Sequence, residues 1–321
     1  MAVDEHAVVN HTWSNLLAST LLVLGMGLLL LLLGYLMWGS IGAIYVVALG
    51  LLLVLLGPRM SPAMVLRMYG ARPLHPAELQ ELHGIVEILA ERARLPRAPR
   101  LYYVPTRILN AFSVGRPQES AIGITDGLLR RLSLRELAGV LAHEVSHIRH
   151  NDVWVMGLAD TISRITSTLS TLGQLLLLFS LPMALAGMVE VAWLPILLLL
   201  AAPTLSGLMQ LALSRTRELD ADLGAVQLTG DPLGLAAALE KLERQERNLW
   251  AWIFPGRGNP EPSVLRTHPN TRERVARLLE LAGRRPPEPS ADLAHPHGLE
   301  LPGTWPRVTR RPRWHVSGLW H

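Results

Sequence analysis

The sequence predicts a predominantly α-helical integral membrane protein, with about four transmembrane helices in two hairpins and an α+β domain that contains a small antiparallel sheet. Three observations carry this expectation. Half of the 321 residues are hydrophobic and only 17% are charged, with a mean hydropathy of +0.27, too apolar for a soluble chain of this length. The apolar residues gather into runs almost free of charge, within 16–57 and 169–213. All 30 basic residues lie in 58–168 and 214–321, and none in 1–57 or 169–213.

Taken in order, the chain opens with a short tail, 1–15, whose Asp4 and Glu5 and lack of basic residues argue against a cleaved signal peptide. Leu16–Trp38 and Ile41–Gly57 are each near the ~20 apolar residues needed to cross a bilayer, and form the first hairpin, 16–57. In 169–213 the single charge, Glu190, falls near the middle, so two helices of roughly 20 residues turning there make the second hairpin. Basic residues collect on the cytoplasmic side of membrane proteins, which puts 58–168 and 214–321 there together, with the N-terminal tail. The charge is almost wholly arginine, Lys241 being the one lysine, and anionic headgroups are a ready partner. No nucleic-acid-binding module is visible, so nucleic acid is not an expected partner. The absence of cysteine excludes a disulfide framework, a thiolate metal site and a cysteine nucleophile.

Within 58–168, Leu101–Val104, Ile108–Val114 and Ala121–Thr125 are short, apolar or β-branched, and punctuated by Pro105, Gly115-Arg116-Pro117 and Gly127, which reads as the antiparallel sheet. Ser133 and Glu136 then form an S-x-x-E capping box ahead of Leu134, Leu137, Leu141, Val145 and Ile148, a stripe at helical spacing that ends at Asn151-Asp152. That helix carries His143-Glu144-Val145-Ser146-His147. Residues four apart lie one turn above each other, so His143 and His147 can reach one zinc ion while Glu144 stands beside it as a base. Two surface histidines on an exposed helix are the alternative.

The second basic segment begins Ser214-Arg215-Thr216-Arg217-Glu218-Leu219-Asp220-Ala221-Asp222. It should stay helical to Gly230, before Asp231-Pro232 starts the next helix as cap and first residue. Glu218 is the candidate third ligand, and Asp222, one turn on, could accept a hydrogen bond from the other nitrogen of a ligating histidine. An exposed helix with local ion pairs is the alternative for this stretch. Asp152 either assists in the same way or caps its helix. His150 is expected not to be a ligand, since three are already in place. The histidines precede the second hairpin and Glu218 follows it. They can therefore meet only if the chain crosses the membrane an even number of times between them.

These motifs resemble those of the HtpX-type membrane zinc metalloproteases, relatives of the CAAX prenyl endoproteases, from about residue 16 to residue 283. Besides H-E-x-x-H, the pattern S-R-x-R-E-x-x-A-D is matched at Ser214, Arg215, Arg217, Glu218, Ala221 and Asp222, and H-P-x-x-x-x-R at His268, Pro269 and Arg274. Leu219 stands where such proteins often carry an aromatic residue, and His150 where a small polar residue is common. The resemblance implies a gluzincin-like protease domain with one Zn2+ per chain, and cleavage of misfolded or damaged membrane proteins at the cytoplasmic face of the inner membrane. It also implies that His268 and Arg274 approach the substrate carbonyl, where a cationic donor would stabilise the oxyanion; a surface turn started by Pro269 is the plainer reading. Asn110-Ala111-Phe112 resembles the edge strand on which such peptidases lay an extended substrate by β-augmentation, though an ordinary core strand fits the same residues. Trp250, Trp252, Ile253 and Phe254 suit either the bilayer interface or a core. Residues 284–321, rich in Pro, Arg, Trp and His, read as a mostly disordered tail that touches the membrane.

Overall fold

A computed structural model of the chain describes residues 5–56, 62–188, 193–253 and 271–282. These form two compact units, one from the described residues within 12–59 and 154–216 and the other chiefly from those within 60–153 and 217–282.

The first unit is apolar and helical. Helix α1, Glu5–Leu56, leaves helical geometry at Trp38 (φ −138°) and Gly39 (φ 64°), and the chain folds back on itself there. In a straight helix residues 34 and 42 would stand roughly 12 Å apart along the axis. Instead, a Cβ placed on Gly34 would lie 2.6 Å from the Val46 side chain, and one on Gly42 would run into the Gly34 carbonyl. Gly39 supplies the left-handed turn, while Gly34 and Gly42 let the two arms touch backbone to backbone. The chain thus reverses inside the segment 16–57 read as the first hairpin, and the first arm already begins at Glu5, inside the expected tail 1–15.

Helix α6, Asp152–Leu185, and helix α7, Trp193–Thr229, pass through this unit as well. Among the described residues, Ser14–Leu52 of α1, Asp152–Met183 and Pro195–Thr229 make three helices long and apolar enough to cross a membrane, the first of them carrying the reversal. Met26, Leu30, Leu158, Ile162 and Leu213 pack between them, while Leu24 (63% exposed), Phe179 (78%) and Leu197 (64%) point outward. Such a surface suits lipid tails and would be an aggregation hazard in water. Pro203 sits inside α7 and has no N–H for the carbonyl of Leu199 four residues earlier. The Ser170 hydroxyl and the Gln174 amide, on α6, donate to that carbonyl instead. Neighbouring side chains commonly satisfy a proline-freed carbonyl in this way where water is absent.

The second unit holds helix α2 (Pro62–Met68), strand β1 (Arg72–Pro73), helix α3 (Gln80–Arg92), strands β2 (Arg100–Val104), β3 (Ala111–Arg116) and β4 (Glu119–Thr125), and helices α4 (Asp126–Arg131), α5 (Leu134–Arg149), α8 (Pro232–Ile253) and α9 (Thr271–Ala282). The sheet runs β1-β2-β4-β3. It corrects the expectation of an antiparallel sheet, for β4 is antiparallel to β3 but parallel to β2. The cause is burial. Every residue of β4 from Ser120 to Thr125 is buried, whereas β3 is largely half-buried. A strand apolar on both faces belongs in the middle, so β4 folds back from β3 and inserts beside β2, leaving β3 at the rim.

Helix α5 starts at the predicted capping box, with both reciprocal hydrogen bonds of Ser133 and Glu136 present. Leu137, Leu141 and Val145 are fully buried among Leu82, Leu89, Ile124, Leu235 and Leu278, which come from α3, β4, α8 and α9. It is thus the central element of the unit rather than a surface helix. As expected, α7 ends at Thr229, Gly230 takes a positive φ of 69°, and Asp231 caps α8 by accepting from Gly234 N at 3.1 Å.

Candidate active site

Helix α5 ends at Arg149, and Asn151 adopts a left-handed φ of 56°. Asparagine tolerates that conformation well, and the turn places Asp152 next to the helix it has just left. His143 and His147 share one face of α5, with their Nε2 atoms 3.1 Å apart. Glu218, on α7, completes the cluster: its carboxylate oxygens lie 3.4 Å from His143 Nε2 and 4.0 Å from His147 Nε2. All three ligating atoms fall within 4.8 Å of one another. Tetrahedral bonds of about 2.0–2.1 Å to zinc require separations of roughly 3.3 Å, so the donor set fits one such ion with little adjustment.

The other nitrogen of each imidazole is also engaged. His143 Nδ1 lies 3.0 Å from Asp222 Oδ1, and His147 Nδ1 2.8 Å from Asp152 Oδ2. A carboxylate there keeps the proton on Nδ1 and turns the Nε2 lone pair toward the site. Both carboxylates are in turn held by arginines. Arg274, on α9, donates through Nε and Nη2 to the two oxygens of Asp222, at 2.7 and 2.6 Å, and its Nη1 lies 3.0 Å from Glu218. Arg217 Nε donates to Asp152 at 2.6 Å, and its Nη1 to Asp220 at 2.9 Å.

The electrostatics point to a site built for a cation. Burial works against a charged His143, yet the hydrogen bonds it donates to Asp222 and Glu218 outweigh it and hold its pKa up at about 10. Burial likewise opposes the charge on Asp222, but Arg274 and His143 keep its carboxyl below the usual range. Arg274 is held more firmly charged than an ordinary arginine, because Asp222, Glu218 and Glu144 together offset its burial.

The structure thus brings together His143, Glu144, His147, Asp152, Glu218, Asp222 and Arg274. Glu144, between the two histidines in the sequence, is buried at 8% exposure and lies near enough to Arg274 to help hold its charge. His268 lies outside the described residues. His150 stays apart from the ligand cluster, with its Nδ1 3.4 Å from Ser146 Oγ, and burial lowers its pKa. Asn110 immediately precedes β3, its carbonyl accepting from Thr125 N at 3.1 Å. Ala111 and Phe112 open the strand, which packs beside α5. Among the described residues β3 pairs only with β4. Phe112 turns its ring onto Gly123, where a Cβ would come within 2.7 Å of it, and onto the Tyr69 ring at 4.7 Å. The residue whose part the sequence did not disclose is Arg217, visible there only as a motif position.

Two histidines and a glutamate placed so that they could hold one metal ion, with a glutamate between the histidines in the sequence, fit the class: this is a metallopeptidase, and the chain belongs to peptidase family M48, whose pattern matches residues 76–282. Its relatives narrow this further. It is 38% identical over 290 residues to the Protease HtpX homolog of Acidiphilium cryptum, covering 84% of this chain and 97% of that one. It is 36% identical over 270 residues to the Protease HtpX homolog of Aquifex aeolicus, covering 79% and 89%. Among solved structures, S. mikatae Ste24p shares the fold at a TM-score of 0.50 and 21% identity, over 84% of this chain and 67% of that one.

Proposed function

We propose that the protein is a membrane-embedded, zinc-dependent endopeptidase that cleaves misfolded or damaged membrane proteins, with its site on the cytoplasmic side of the inner membrane. The observation that supports it best is the convergence of His143, His147 and Glu218 within 4.8 Å, with Glu144 on the same helix. A three-ligand set leaves a coordination position open for chemistry, whereas a structural zinc site is normally closed by four protein ligands. Zinc held there would polarise the scissile carbonyl and make water a nucleophile near neutral pH. Glu144 takes the proton of the attacking water and delivers it to the leaving amine. Asp222 and Asp152 hold the two imidazoles in the tautomer that points Nε2 at the site. Arg274, pinned by Asp222 and Glu218, brings a fixed positive charge close to the reacting carbonyl. His268 is the remaining candidate to face the oxyanion.

The rim position of β3 supports substrate binding at Asn110, Ala111 and Phe112, where an extended peptide would add as the next strand. The reversal of α1 at Gly39, taken with α6 and α7, supports four membrane spans in two hairpins, and the Protease HtpX homologs support the proteolytic activity. Metal analysis tests the ligand set. The purified protein should contain about one zinc per chain and Glu218→Ala far less, with peptide cleavage lost and unchanged helical content. Full zinc occupancy in Glu218→Ala would rule out Glu218 as a ligand.

A further inference from the structure

We propose that Arg217 is a positioning residue for the metal site, acting through Asp152 on His147, and that it sets the imidazole of His147 in register with the neighbouring ligand Glu218. The inference rests on the zinc reading above, but nothing in that reading requires it.

Three observations carry it. Arg217 is 8% exposed and Asp152 3%, so this is a buried pair, and an unpaired charge at either position would be costly. Asp152 is shared: one oxygen accepts from Arg217 Nε at 2.6 Å, and the other lies 2.8 Å from His147 Nδ1. A carboxylate anchored on one side by a rigid guanidinium has little freedom to let the imidazole rotate. Finally, Arg217 is the residue directly before Glu218 on α7, and its Nη1 is tied back to Asp220 on the same helix at 2.9 Å. One side chain therefore joins the segment that bears the carboxylate ligand to the aspartate that orients a histidine ligand. The result mirrors the other imidazole, where Arg274 grips Asp222 and Asp222 meets His143. Each ligating histidine is backed by an aspartate, and each aspartate by an arginine from a different part of the chain.

The test uses the full-length protein in detergent, as the parent, Arg217→Gln, Arg217→Lys, Asp152→Asn and the Arg217→Gln/Asp152→Asn double variant. Zinc affinity is measured by chelator competition, and the ligand field by the visible absorption of the cobalt(II)-substituted protein. Arg217→Gln and Asp152→Asn should each weaken zinc binding about 10–100-fold and alter the cobalt spectrum. Lysine, a point charge without the fork, should restore part of the affinity. The double variant should be little worse than either single one, because both break the same connection. Parental affinity and an unchanged cobalt spectrum in folded Arg217→Gln, or losses that simply add in the double variant, would overturn the proposal. If Arg217→Gln does not fold, Arg217→Lys decides in its place: parental zinc affinity and an unchanged cobalt spectrum would overturn the proposal, and a partial loss of affinity with a shifted spectrum would support it. His147→Ala separates the two readings: if it binds zinc as the parent does, the ligand set itself is wrong, whereas its loss beside an unaffected Arg217→Gln removes only the role of Arg217.

Discussion

Arg274 shows how much a single residue decides at this site. The resemblance at H-P-x-x-x-x-R implies a place near the substrate carbonyl, and in the structure Arg274 lies against Asp222, Glu218 and His143. Its guanidinium, however, is engaged by both oxygens of Asp222 and by Glu218, and the residue is 7% exposed. Breaking such a buried ion pair from one side typically costs about 3–5 kcal/mol, because the partner charge is left uncompensated. Arg274→Gln should therefore lower the unfolding temperature of the metal-free protein markedly, measured by differential scanning fluorimetry in detergent. A residue serving only the oxyanion would instead lower kcat and leave that temperature unchanged. Asp222 and Asp152 were open to the sequence as candidates, since each lies at a plausible distance along the chain from a ligand. What the sequence could not state is which arginine pairs with which aspartate, because those partners are separated by 52 and 65 residues.

Elements were legible where local chemistry fixes them. The capping box of α5, the glycine end of α7 and the aspartate cap of α8 all follow from one or two side chains bonding nearby backbone groups. The order of the strands was not, because it depends on which strand the rest of the domain covers. Nothing within Ala121–Thr125 announces that β2 rather than solvent lies beside it. The link between α6 and α7 was equally hidden, although Pro203 is plain in the sequence. A freed carbonyl must find a donor, but Ser170 and Gln174 become that donor only once the helices are side by side. Ser170→Ala should cost on the order of 0.6–1.7 kcal/mol by equilibrium unfolding in bicelles, the range for interhelical hydrogen bonds in membranes. In a Pro203→Ala background, where the helix regains its own N–H donor, the same change should cost almost nothing. Equal costs in both backgrounds would show that Ser170 stabilises the pair by some other means.

For the molecule as a whole, charge distribution and metal chemistry constrain the same topology by separate arguments. His147 and Glu218 meet in one cluster, and α6 and most of α7 lie between them along the chain. If both helices span the bilayer, the two ligands emerge on the same side, as the confinement of basic residues to 58–168 and 214–321 also requires. Reporters fused after Arg116 and near Glu190 should accordingly report opposite sides of the membrane, and co-location would remove the second hairpin. The central claim, that this cluster hydrolyses peptide bonds with Glu144 as the base, is tested most directly by comparing Glu144→Gln with the parent on an unfolded membrane-protein substrate while zinc content is measured in the same samples. The account predicts parental zinc content with cleavage reduced at least about 100-fold, the lower end of the range for losing a general base. Equal cleavage by the two proteins at equal zinc content would contradict it.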